Sequence, residues 1–244
     1  IYASFPMSRK SKRPRRIPVS RFPFTPSTYP GGRPRFSFLF TSKGIYRLKL
    51  RTLDRLLASH NLPPANERYA VLAYGSNACP DQLQGKGLND VPVLYGRLIG
   101  AEAVYAKRQT TRGYVPATLA RKRGDRSSWV TLLTAEQLRR MDDSEGRSNA
   151  YALAEISATQ FVVGHSEITP LYTYVDIRGE VMTINGNPVS LRSCRQKRAK
   201  AMLATASKEK AAKWLDFRSI PSTTLPTNFS QVLRRFATSQ HPNR

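Results

Sequence analysis

The run Tyr69-Ala70-Val71-Leu72-Ala73 is apolar and rich in strand formers, and it breaks off at Tyr74-Gly75-Ser76-Asn77. Such a pattern predicts a buried strand, a tight loop, and a short helix starting near Pro80. A Gly-Ser-Asn turn can aim several backbone N–H groups in one direction, which suits a carboxylate or a carbonyl oxygen gaining negative charge. Taken alone, the stretch reads as an ordinary strand-to-helix turn. Other chemistries are poorly provided for. Ser76 has no His and Asp/Glu partner pattern for nucleophilic catalysis, and Cys79 reads as a small packing residue. Gly85-Lys86-Gly87 lacks the rest of a phosphate loop. Two cysteines, Cys79 and Cys194, with His60, His165 and His241, supply neither a disulfide framework nor structural zinc, so no metal and no cofactor is expected.

About 70 residues on, Asp142-Asp143-Ser144-Glu145-Gly146 ends a segment that opens on the capping box Thr134-Ala135-Glu136-Gln137, and Tyr151 begins the next apolar run. Together with Tyr74-Gly75-Ser76-Asn77, these residues resemble the γ-glutamyl cyclotransferase-like superfamily over about residues 68–191. The resemblance implies an α+β fold, a small β-barrel with flanking helices, to which this chain adds an extended basic N-terminal tail. It also implies a reaction in which the α-amine of a γ-glutamyl group attacks its own γ-carbonyl and releases the attached amine. In that reading Glu145 is the catalytic base. Tyr74, Gly75, Ser76, Asn77 and Tyr151 bind the substrate, through backbone N–H groups, the pocket wall and a hydroxyl.

The elements that would position these residues follow from the chain in order. Residues 1–42 form a basic tail that alternates Pro, Arg and aromatics, and 43–66 an amphipathic helix at 44–59 with its linker. Residues 67–220 are the barrel domain, and 221–244 a linker and a terminal helix at about 229–238. Val91–Tyr95 and Ile99–Tyr105 read as strands bent at Gly96 and Gly100. Residues 115–119 and 129–133 read as strands joined by a basic turn at 121–126. Further strands are expected at 151–156, 171–177 and 180–184, with Asn185-Gly186 as a hairpin turn and a helix at 195–215.

Charge gives a second line of inference. Forty Lys and Arg against sixteen Asp and Glu leave a net +24, of which residues 1–61 carry +13. Such an excess attracts polyanions. The candidate RNA contacts are Arg9, Lys10, Lys12, Arg13, Arg15, Arg16, Arg33 and Arg35 in the tail. Arg121, Lys122, Arg123, Arg195, Lys197 and Arg198 join them in the domain, and Lys107-Arg108 is a further basic pair. Residues 1–53 hold no Asp or Glu and overlap an organellar transit peptide in composition. No apolar run approaches the roughly 20 residues of a membrane span, so no membrane partner is expected. The reading these features favour is a protein subunit of a large ribonucleoprotein, a mitochondrial or other organellar ribosome. It would contact rRNA and neighbouring proteins in the organellar matrix, or otherwise lie in the cytoplasm. The alternative is an active γ-glutamyl cyclotransferase forming 5-oxoproline from a small γ-glutamyl substrate.

Overall fold

The computed structural model describes residues 15–147, 150–157, 159–178, 180–210, 217–221, 223–224, 226–228 and 230–233. From the N-terminus, β1 (Arg16–Ile17) is followed by two short 3-10 turns and then by the hairpin β2 (Phe38–Thr41) and β3 (Gly44–Arg47). Next come α1 (Leu53–Ser59), β4 (Tyr69–Leu72) and α2 (Pro80–Gly85). Two long strands follow, β5 (Val91–Tyr105) and β6 (Ala117–Leu133), and then α3 (Ala135–Glu145). The remainder is β7 (Tyr151–Glu155), β8 (Gln160–Val163), β9 (Ser166–Thr169), β10 (Tyr172–Asp176), β11 (Glu180–Ile184), β12 (Asn187–Pro188), α4 (Gln196–Ala201), β13 (Ser207–Lys210), β14 (Arg218–Ser219) and β15 (Ser230–Leu233).

The main sheet runs β1-β3-β2-β5-β6-β4-β10-β7-β14, with β8, β9 and β15 branching from β5. Its β4–β10 pair is parallel, with Tyr172 opposite Val71. The pairs β4–β6 and β5–β6 are antiparallel. A small antiparallel sheet, β12-β11-β13, stands apart. Both faces of the main sheet are covered at β2, β4 and β10, which is why these strands are buried along their whole length rather than in alternation. Leu39, Ala70, Leu72, Leu94 and Leu132 face one core with Leu53 and Leu57 of α1. Phe38, Phe40, Tyr69, Val71 and Val93 face the other, beside Leu138 and Met141 of α3.

No sheet closes into a barrel, contrary to the expected fold. Closure would require the two edge strands to pair, and here they are β1 and β14, two residues each. Pro18 and Pro221 stand just beyond them and lack the N–H needed to extend a ladder. Strand β5 also changes partner along its length. Val91 and Val93 pair with β2, whereas Arg97–Ile99 pair with β8. A Cβ at Gly96 would overlap the carbonyl oxygen of Val162, so this glycine permits the close approach of β8.

The N-terminal segment is not a separate extended tail from residue 15 onward. Strand β2 is wholly buried inside the sheet, and Trp129 Nε1 donates to the Pro34 carbonyl at 2.7 Å. Other sequence expectations also change. The helix expected at 44–59 is split, because β3 takes its first four residues and α1 begins only at Leu53. The basic stretch 121–126 is no turn but the middle of β6, paired with β5 on both sides of a bulge at Ile99/Ala101. Of the helix expected at 195–215 only α4 forms among the described residues, Ser207–Lys210 pairs with β11 instead, and 211–215 lie outside the described residues. Residues 230–233 form β15 rather than a helix, and 234–238 lie outside the described residues. The capping box does form. Thr134 Oγ1 accepts from Gln137 N at 3.3 Å, and Gln137 Oε1 accepts from Thr134 N at 2.9 Å. Gly146, at φ 61°, ends α3 in the left-handed conformation that favours glycine.

Candidate functional site

The loop after β4 is held from several sides. Tyr74 is buried, and its hydroxyl donates to the carbonyl of Tyr174 on β10. Ser76–Ala78 form a single 3-10 turn ahead of α2, which begins at Pro80. Arg33 donates to the carbonyls of Tyr74 (3.0 Å) and Gly75 (3.2 Å) while its guanidinium lies 4.3 Å above the Trp129 ring. Tyr29 stacks on Tyr114 at 4.6 Å, and its hydroxyl accepts from Ala117 N at 2.9 Å. A Cβ at Gly75 would stand 2.8 Å from that same hydroxyl, so the loop needs glycine there for close approach.

The C-terminal end of α3 meets this loop. Asp142 is spent on structure. It accepts from the Tyr174 hydroxyl (2.6 Å) and from Arg147 (2.6 Å), and Arg147 in turn reaches the Ile220 carbonyl at 2.9 Å. Glu145, one turn on, is ion-paired with Lys86. The same ammonium donates to Asn77 Oδ1 at 2.8 Å. Lys86 thus joins the carboxylate at the end of α3 to the loop after β4.

These groups border one cavity of about 640 Å³. Its walls include Tyr74, Gly75, Ser76, Asn77, Glu145 and Tyr151, the six residues assigned to the site from sequence. Sequence reasoning missed Tyr29, Lys86, Arg108, Tyr114 and Tyr174, which line it as well. Lys86 lies nine positions after Asn77 in a Gly-Lys-Gly context, a signal that reads as a turn until the fold brings α3 alongside. Tyr29 comes from the segment read as tail, where no local pattern marks it. Arg108 is held by Asp176 at 2.7 Å, with its guanidinium 5.5 Å from the Tyr151 ring. Burial pushes the phenols of Tyr29, Tyr74, Tyr151 and Tyr174 upward, so at neutral pH they are uncharged hydroxyls. Lys86, Arg108, Arg112 and Arg178 on the lining outnumber Asp143 and Glu145, which favours an anionic guest. Among the described residues no group of three or more His, Cys, Asp or Glu could hold a metal ion, and no helix is long and apolar enough to cross a membrane.

The other assigned cations are scattered. Arg9, Lys10, Lys12 and Arg13 lie outside the described residues. Arg15, Arg16, Arg35, Arg121, Lys122, Arg123, Arg195, Lys197 and Arg198 are exposed. Arg33 is engaged inside the chain, as described above, and is not a free surface contact.

No protein-family model matches this chain, and no curated protein and no solved structure does either. The terms ribosomal, RNA-binding, mitochondrial and cyclotransferase-like are corrected accordingly. No family or curated protein supports them, and the barrel implied by the last is not formed.

Proposed function

We propose that the 640 Å³ cavity is the active site of an enzyme acting on a small amine-bearing carboxylic acid, with Glu145 as general base. The observation that carries this reading is the Lys86 bridge between Glu145 and Asn77 on the cavity wall. A carboxylate held beside a loop of small residues, neutral phenols and a guanidinium is a set suited to acyl transfer. The reaction that best fits is cyclisation of a γ-glutamyl amine. Glu145 takes a proton from the substrate α-ammonium, and the freed nitrogen attacks the γ-carbonyl carbon to form the ring C–N bond. The ring nitrogen then gives up its second proton to Glu145 as the bond to the leaving amine breaks, so that of the two protons lost by the substrate nitrogen one ends on that amine and the other passes to solvent. The products are 5-oxoproline and the free amine. The cationic lining supplies partners for the substrate carboxylate, and the backbone at Gly75–Asn77 faces the developing oxyanion.

The reading rests on the site and not on a barrel. Incubation of the purified chain with a panel of γ-glutamyl amines, followed by chromatography for 5-oxoproline, tests it. Enzyme-dependent release from at least one member is expected, and no release from any of them contradicts the reaction.

A further inference from the structure

A second cavity, of about 380 Å³, shares Tyr74 with the first and has a different character. Its charged lining is Arg33, Arg35, Arg126 and Arg192 with the single acid Glu102, among the described residues. Glu102 is already shared. Arg126 Nε approaches it at 3.5 Å and Lys122 Nζ at 4.0 Å, and the Ser190 hydroxyl donates to it at 3.3 Å. Arg126 Nε is buried, and among the described residues it completes no hydrogen bond; its ion-pair partner Glu102 stands at 3.5 Å. A buried donor held only by so loose an ion pair has capacity for a better-placed acceptor from outside. Burial, and with it the like charge of Arg35, pushes the Arg33 guanidinium down to about 10. The uncharged lining includes Ser127 and Ser128 beside Trp129 and Tyr95.

We infer that this second cavity binds a small phosphate-bearing molecule. Four guanidinium groups against one shared carboxylate leave an excess that a singly charged carboxylate would not offset, whereas a phosphate ester or pyrophosphate carries two or more charges. Guanidinium forks match phosphate oxygens in pairs, and serine hydroxyls add neutral donors. The volume falls within the usual range of small-molecule sites, about 300–1,000 Å³. The site is independent of the chemistry proposed for the first cavity. Arg33 nevertheless belongs to both regions, because it lines this cavity and holds the Tyr74 and Gly75 carbonyls.

The test is isothermal titration of the full chain with inorganic pyrophosphate at constant ionic strength, with citrate as a carboxylate of comparable charge. Saturable binding is expected for pyrophosphate, at least tenfold tighter than for citrate. Arg126→Gln should weaken it at least tenfold, and Lys86→Met, in the first cavity, should change it by less than twofold. Arg192 is exposed, so Arg192→Gln supplies a second variant that does not disturb the core and should also weaken binding. Absence of saturation, a preference for citrate, or loss with Lys86→Met but not with the arginine variants would overturn the assignment.

Discussion

The ammonium of Lys86 is ion-paired with the carboxylate of Glu145, 59 positions along the chain, and through Asn77 it ties both to the loop after β4. Their side chains are only 14% and 15% exposed, so neither charge is well hydrated without the other. Lys86→Met should therefore destabilise the fold by about 1–3 kcal/mol, between the values for exposed and buried pairs. Urea unfolding measures this, and Lys86→Met/Glu145→Gln should lose less than the sum of the two single changes.

Gly75 and Tyr29 form a second coupled pair. Gly75→Ala places a methyl against the Tyr29 hydroxyl and should cost about 1–3 kcal/mol, as over-packing does. Tyr29→Phe leaves the Ala117 N–H without its acceptor, a loss of about 1–3 kcal/mol. The double variant should be more stable than additivity predicts, because removing the hydroxyl makes room for the methyl. Thermal unfolding of the four proteins checks this, and strict additivity would mean that the two residues do not touch.

Alkaline pH should unfold the protein early. Burial raises the phenols of Tyr29, Tyr74, Tyr114, Tyr151 and Tyr174 above the ordinary 10.0 and pushes Tyr105 up to about 12. Above pH 10 the unfolded chain releases these protons while the folded chain keeps them, so stability is full below pH 10 and falls as pH rises. Arg33 and Arg68 act in the opposite sense. Burial lowers each to about 10, so the folded state sheds their protons first and gains stability between there and 12.5. Six tyrosines outweigh two arginines. The melting temperature should drop steadily from pH 9.5 to 11.5, with phenolate absorbance appearing in step with unfolding.

Deleting residues 1–36 should be far more damaging than a tail deletion. It removes Tyr29 from the cavity wall, Arg33 from the loop carbonyls, and the Pro34 carbonyl that accepts from Trp129. A loss of several kcal/mol is expected, a large part of the ~5–15 kcal/mol that holds a domain together. Calorimetry should find a transition lowered by ten degrees or more.

The parts of this molecule legible from sequence are those set by local chemistry. The start of α2 at Pro80, the Thr134–Gln137 capping box and the Asn185-Gly186 turn each rest on interactions within a few residues. What could not be read depends on distant partners. Arg121–Arg123 have turn-like composition, but Arg121 pairs with Ala101 and Asp125 with Ile99, so β6 runs on through them across a register shift. The aromatics and arginine between Phe22 and Phe36 look like a binding tail, because nothing near them in sequence announces the pocket they help to build. The site followed the same division. Tyr74 to Asn77 and Glu145 stand out by motif, whereas Lys86 and Arg108 acquire meaning only when α3 and β10 are folded beside them.

The central claim is that Glu145 performs acid–base chemistry in the first cavity, and turnover of Glu145→Gln tests it most directly. The amide keeps the shape and can still bond Lys86 but cannot take the proton. With whichever γ-glutamyl amine the wild type cyclises, the variant should lose at least 100-fold in kcat, in the range of about 10²–10⁴ expected for a lost general base. KM should stay within a few-fold, and the melting temperature within a few degrees. A folded Glu145→Gln protein that releases 5-oxoproline at the wild-type rate would contradict the account.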